Sequence, residues 1–143
     1  METRLSDLTF FVPGIAAPQG SKNAYRRGQK IVLVESSKKV KPWRDTVSQV
    51  ARFVCKRPID GAVTVAVHFV MPRTKAMRDK PAPPMVQKPD LDKMLRAVND
   101  ALTGIAYADD SQIVRLTGSK RRAAPGEKTG AHITITPFME GAA

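Results

Sequence analysis

The spacing of apolar residues changes several times along this chain, and each change marks an element. Leu8 to Val12 is a short β-rich run closed by Pro13-Gly14, which predicts a first strand. The stretch APQGSKNAYRRGQK that follows is polar, cationic and without a period, so it reads as a loop, and Ile31 to Val34 as a second strand. From Ser37 onward Val40, Trp43, Val47, Val50, Ala51 and Val54 recur at helical spacing, with Lys41, Arg44, Asp45, Gln49 and Arg52 between them. That pattern predicts an amphipathic helix stopped by Pro58, with Trp43 as a core or interface anchor. Ala62 to Met71 alternates and is dense in β-branched and aromatic residues, as a central strand should be.

Pro72 ends that strand. PRTKAMRDKPAPPMVQKP then carries proline and charge without a period and reads as a long loop or lid. After Pro89, the residues Leu91, Met94, Leu95, Val98, Leu102 and Ile105 form one helical stripe, while Asp92, Arg96, Asn99 and Asp100 fall on another face. Gly104 is the expected stop. Asp109-Asp110-Ser111 reads as a turn before a strand from Gln112 to Leu116, SKRRAAPGEKTG as a basic loop, and His132 to Thr136 as the last strand. Residues from about 139 to 143 read as a loose tail. With no internal repeat, the expectation is a single α+β domain over residues 1–143: a mixed sheet of four or five strands with two main helices.

A chain of 143 residues with 42% hydrophobic content can bury a core without staples. No apolar run approaches the roughly 18 to 20 residues of a membrane span, and the N-terminus lacks a charged-then-apolar signal pattern, so a cytoplasmic location is expected. The single cysteine, Cys55, excludes an internal disulfide and a thiolate zinc site and is expected to be a buried thiol. His68 and His132 both lie in strand-like runs, which favours structural over catalytic roles.

Charge adds a partner. Twenty-four Lys and Arg against thirteen Asp and Glu give a formal charge of +11, which favours an anionic partner. The cations come in bursts, among them Lys22, Arg26, Arg27 and Lys30, then Arg73, Lys75, Arg78 and Lys80, then Lys120 to Arg122. Such spread suits several phosphates of a nucleic acid better than one small-molecule pocket, although each burst alone is also an ordinary solvated loop. A basic amphipathic helix suited to a membrane surface is missing.

Against that background Asp90, Asp92, Asp100, Asp109 and Asp110 are five of thirteen acidic residues, gathered in one short stretch. Carboxylates gathered in a cationic chain point to a bound cation, and hard divalent ions prefer carboxylate oxygen. Each also has an ordinary alternative: Asp90 as a helix cap, Asp92 as a dipole partner paired with Arg96, Asp109 and Asp110 as turn residues.

The run Lys88-Pro89-Asp90-Leu91-Asp92, continuing to Asp100-Ala101-Leu102-Thr103-Gly104 and Asp109-Asp110-Ser111-Gln112-Ile113, resembles the signature of the RusA family of Holliday-junction resolvases, endonucleases common in bacteriophages and prophages. The order of the remaining elements is similar to that family as well. The resemblance implies a Mg²⁺-dependent homodimer, with Mn²⁺ as a substitute and no small-molecule cofactor, that resolves four-way DNA junctions by paired nicks in recombination and repair. It also implies Asp90, Asp92 and Asp110 as metal ligands, with Asp109 the alternative to Asp110. The family pattern commonly places Asn directly after the second aspartate and Lys four residues after it, where this chain has Lys93 and Arg96. Arg96 keeps the charge but not a titratable proton, so a proton-transfer role would fall to a metal-activated water or to another group such as Lys93.

Lys88, Lys93, Arg96, Arg115 and Lys120 are the expected contacts to DNA near the site, and Lys22, Arg26, Arg27 and Lys30 a more distant clamp. A C₂ homodimer would present two equivalent sites to the two opposed strands of a junction, with the early apolar strands and the helix bearing Trp43 as interface candidates. The alternatives are a metal-dependent nuclease acting on flaps or other branched DNA, and a basic binding module without catalysis.

Overall fold

The computed structural model describes the backbone of residues 7–20, 22–27, 30–35 and 38–139, and the side chains of 7–20 and 38–139. The elements in order are β1 (Leu8–Pro13), β2 (Lys22–Arg27), β3 (Lys30–Glu35), α1 (Val40–Val54), β4 (Val63–Met71), a 3₁₀ turn at Lys75–Met77, α2 (Leu91–Leu102), a 3₁₀ turn at Asp110–Gln112, β5 (Ile113–Arg122) and β6 (Gly130–Pro137). Four strands form one mixed sheet in the order β1-β6-β4-β5, and β2 with β3 forms a separate hairpin. The sheet is antiparallel except where β4 meets β5 in parallel. A parallel pair needs a crossover, and here α2 supplies it.

The expected α+β architecture with two helices is therefore present, and four strands make the mixed sheet. Period-2 burial in β4 places Val63, Val65, Val67, Phe69 and Met71 on the face covered by the helices. Val12 and Phe10 of β1 and Ile133 and Ile135 of β6 join them, and the buried stripes of α1 (Val40, Trp43, Val47, Ala51) and α2 (Met94, Leu95, Val98, Leu102) close the core. Trp43 is 3% exposed and lies against Gly14, so it anchors the core of its own chain and is not available as an interface residue. Cys55 is buried, and burial raises its thiol pKa.

Two expectations need correction. Lys22 to Arg27 was expected to be loop and is strand, paired from Lys22 against Glu35 to Arg27 against Lys30. Its own residues carry little apolar alternation, so the pairing with β3 supplies the strand geometry. In the same way β5 runs on through Ser119, Lys120, Arg121 and Arg122, which the high charge made look like loop. These side chains are held by the long register with β4, from Thr64 opposite Arg115 to Met71 opposite Arg122. The side chains of Lys22, Arg26, Arg27 and Lys30, and the tail from residue 140, lie outside what is described.

Candidate metal and DNA site

Asp90 occupies the N-cap position of α2 in extended backbone (φ −68°, ψ 137°), yet its side chain makes no capping bond. Asp92 lies in the first turn and is exposed. Among the described residues no ion pair joins Asp92 to Arg96, and Asp90 has one partner, Lys93 Nζ at 3.6 Å. The ordinary structural roles open to these two carboxylates are thus mostly unused.

The backbone before Asp90 is held from β5. Lys120 Nζ donates to the carbonyls of Gln87 at 2.7 Å and Pro89 at 2.9 Å. Arg122 Nη1 donates to Pro72 O at 2.9 Å, and Arg73 donates to Ala123 O, Arg78 O and Lys80 O. The proline-rich segment is therefore a strapped loop, and Lys120 serves it through the backbone. Sequence reading placed Lys120 on DNA and missed this, because a lysine's backbone acceptors come from a segment some thirty residues away, and only the fold brings them together.

Asp109 and Asp110 follow a different logic. Asp109 Oδ1 accepts from Ser111 N at 3.0 Å, and Gln112 Oε1 accepts from Asp109 N at 3.0 Å, a reciprocal capping box. The same Gln112 also accepts from Ala108 N and donates to Ile59 O and Gly61 O. Its Asp-x-x-Gln spacing was the available signal for this anchor. Asp109 is therefore tied into the turn, whereas the Asp110 side chain takes no part in the capping box. Backbone donation from Ser111 lowers the Asp109 pKa, whereas the hydrogen bond shared with Asp109, a slight loss of solvation and the charges of Asp109 and Asp100 raise that of the exposed Asp110.

Asp110 thus belongs with Asp100, near the C-terminal end of α2. Eight residues of helix separate Asp92 from Asp100, a rise of about 12 Å. Within one chain the fold therefore sets the Asp90–Asp92 pair and Asp110 at opposite ends of α2, and no group of three or more His, Cys, Asp or Glu able to hold a metal occurs among the described residues. Gln19 bridges toward the second end, donating to Asp100 Oδ2 at 2.6 Å while its own Oε1 accepts from Arg44 at 2.8 Å.

Of the expected DNA contacts, Lys88 and Lys93 line one cavity with Asp90. Arg96 is exposed one helical turn after Asp92. Arg115 pairs in register with Thr64, on the sheet face turned away from the helices, with its guanidinium 5.5 Å from the Phe138 ring centroid. His68 accepts from Arg121 Nε at 3.0 Å through Nε2 and meets Ser119 Oγ through Nδ1, a structural arrangement as expected. Lys39, which the sequence places in a cationic burst with Lys38, Lys41 and Arg44, also reaches the cavity beside Asp90.

A family model described as Endodeoxyribonuclease RusA matches residues 13–136. The chain belongs to the RusA family. No curated protein matches it significantly. RusA-family membership makes it a nuclease of the endodeoxyribonuclease kind, and the matched span takes in every element from α1 to β5 together with Asp90, Asp92, Asp109 and Asp110. No helix among the described residues is long and apolar enough to cross a membrane.

Proposed function

We propose that this chain is a Mg²⁺-dependent, structure-selective endonuclease that resolves four-way DNA junctions by paired nicks, working as a C₂ homodimer. The observation that carries the reading is the Asp90–Asp92 pair: two exposed carboxylates, neither used as a cap, at the start of a helix in a strongly cationic RusA-family chain.

The donor set fits a hard cation. Mg²⁺ binds through one or two carboxylates plus substrate phosphate, which Asp90 and Asp92 can provide. When bound, the ion supplies Lewis-acid polarisation of the scissile phosphate and a hard anchor for its oxygens. Asp110 joins that set only if a second copy brings it. A two-fold axis that packs two α2 helices antiparallel would set Asp90 and Asp92 of one protomer beside Asp110 of its partner, twice over, and so form two equivalent sites from two incomplete halves. That arrangement also explains why a dimer would be needed for chemistry as well as for symmetry.

The chain's own residues have distinct tasks. Lys88 and Lys93 neutralise the phosphate that the carboxylates would otherwise repel. Arg96 adds fixed charge one turn along the helix from Asp92 and acts by electrostatics, because a guanidinium does not give up its proton near neutral pH. Lys120 holds the backbone from which Asp90 projects.

A cleavage panel tests the reading: four-way junction, flap and plain duplex, each with Mg²⁺, with Mn²⁺ and with chelator. Paired cuts in the junction that need the metal and disappear in Asp92→Asn, while junction binding persists, are expected. Preferred flap cutting would replace junction resolution with a broader branched-DNA activity, and metal-independent binding with no cleavage by the wild-type protein would end the nuclease reading.

A further inference from the structure

Beside Asp90 lies a cavity of about 430 Å³ whose lining has two characters. One wall is apolar, built from Ile15, Ala17 and Pro18 of the segment after β1, Met71 at the end of β4, and Pro89. Among the described residues the rim carries three lysines, Lys39, Lys88 and Lys93, against one carboxylate, that of Asp90. The segment after β1 is fixed over α2 by the bond from Gln19 N to Lys93 O at 3.0 Å, so the wall is built by tertiary structure. Ile15 at the lip is 60% exposed, an apolar side chain left facing solvent beside a cationic rim.

Three lysines call for an anion, but a bare phosphate would leave the apolar wall unused. The volume lies at the lower part of the range for small-molecule sites, about 300–1,000 Å³, which suits one nucleotide and excludes a duplex. We propose that this cavity receives one unstacked nucleotide of the cleaved strand, its phosphate at the lysine rim and its base against Ile15, Ala17 and Met71. The inference rests on the nuclease reading above and deepens it. Because Asp90 borders both the cavity and the metal-binding pair, a nucleotide seated there sets its phosphate at the carboxylates.

Selectivity follows from the same seating. Extruding a base from continuous duplex costs stacking and pairing, and costs least where the strand is already branched or unpaired. A cavity that must be filled before the phosphate is placed therefore favours branch points over plain duplex.

The experiment places 2-aminopurine at each nucleotide flanking the cut in a four-way junction and records its fluorescence with the full-length protein in chelator, alongside Mg²⁺ cleavage of the same substrates. Among the described residues no aromatic side chain lines the cavity, so a seated 2-aminopurine is expected to stay unquenched. A several-fold rise at one position is expected on binding wild-type protein. Ile15→Glu, a change at an exposed site, should abolish the rise and lower kcat/KM on the junction by about tenfold or more with the melting temperature unchanged. Lys39→Ala should raise KM with little change in kcat.

Cleavage with no rise at any position, or a rise that survives in Ile15→Glu, overturns the cavity assignment and leaves the nuclease reading in place. A rise with no cleavage sinks the nuclease reading and keeps the cavity. Loss of the rise on adding free deoxyadenosine 5′-monophosphate at micromolar concentration would make the ligand a free nucleotide and overturn the assignment to the strand. Neither rise nor cleavage ends both.

Discussion

Lys120, near the end of β5, donates to the carbonyl of Pro89, the residue immediately before Asp90, at 2.9 Å. A strand of the sheet thereby sets the backbone from which the first candidate metal ligand projects. Lys120→Met removes two charged-donor bonds to carbonyls and should destabilise the protein by about 1.5–3 kcal/mol, while Lys120→Arg should recover part of that loss. Thermal melts check stability, and Mn²⁺ titration by calorimetry checks the site: weaker metal binding in Lys120→Met with unchanged junction binding in chelator is the expected pairing of results.

If the two halves of the acidic set meet across a dimer, mixed dimers are informative. A heterodimer of Asp92→Asn with Asp110→Asn keeps one intact composite site, formed from Asp92 of one protomer and Asp110 of the other. It should therefore nick one strand of a junction, whereas each homodimeric variant cuts neither. A site contained within one chain predicts no activity in the mixture, and a junction nicking assay on co-expressed, differently tagged protomers separates the two.

The neighbouring aspartates should behave differently on substitution. Asp109→Ala breaks the capping box and should lower the unfolding midpoint. Asp110→Asn removes a charge that faces those of Asp109 and Asp100 and should leave stability unchanged or slightly raised, with cleavage lost. Denaturant unfolding of both variants, beside the cleavage assay, tests the division of labour.

Glu127 and Arg121 provide a pH-dependent contact outside the acidic set. The guanidinium of Arg121 donates to both carboxylate oxygens, at 2.6 and 2.7 Å, and with the Ala124 N–H holds the Glu127 carboxyl at about 2, below its ordinary 4.5. A depressed carboxylate stabilises the fold fully above its unfolded value and loses that contribution as pH falls through the folded one. The melting temperatures of wild type and Glu127→Gln should therefore differ near neutrality and converge as pH drops from 4.5 toward about 2. A gap that stays constant over that window would show that the pair does not contribute in this way.

Gly118 lies where α2 meets β5, and a Cβ there would come 2.7 Å from Leu95 Cδ1. Gly118→Val forces Leu95 off its packing and should destabilise by about 1–3 kcal/mol, as measured by denaturant midpoint. Because Leu95 is on the helix that links both ends of the acidic set, loss of cleavage should accompany the loss of stability.

How much of this was legible beforehand depends on the range of the interactions. The helix over Leu91–Leu102, its stop at Gly104, the central strand Val63–Met71 and the buried Trp43 and Cys55 were all readable, because local periodicity and burial habit express them within a few residues. The motif around Asp90, Asp92 and Asp110 pointed to the RusA family for the same reason: its residues stand at fixed spacing along the chain.

The spatial arrangement was not legible. Lys22–Arg27 is a strand through its hairpin with Lys30–Glu35, and Ser119–Arg122 through the distant β4, while the composition of both reads as solvated loop. The fold alone assigned Lys120 to the backbone at Pro89 and joined Ile15, Lys39 and Met71 beside Asp90. It also separated Asp92 from Asp110 by the length of α2, although a short linear stretch holds both. Residue type and spacing determine which chemistry a segment can carry. Distance through space is set by how helix and sheet pack, which no local pattern encodes.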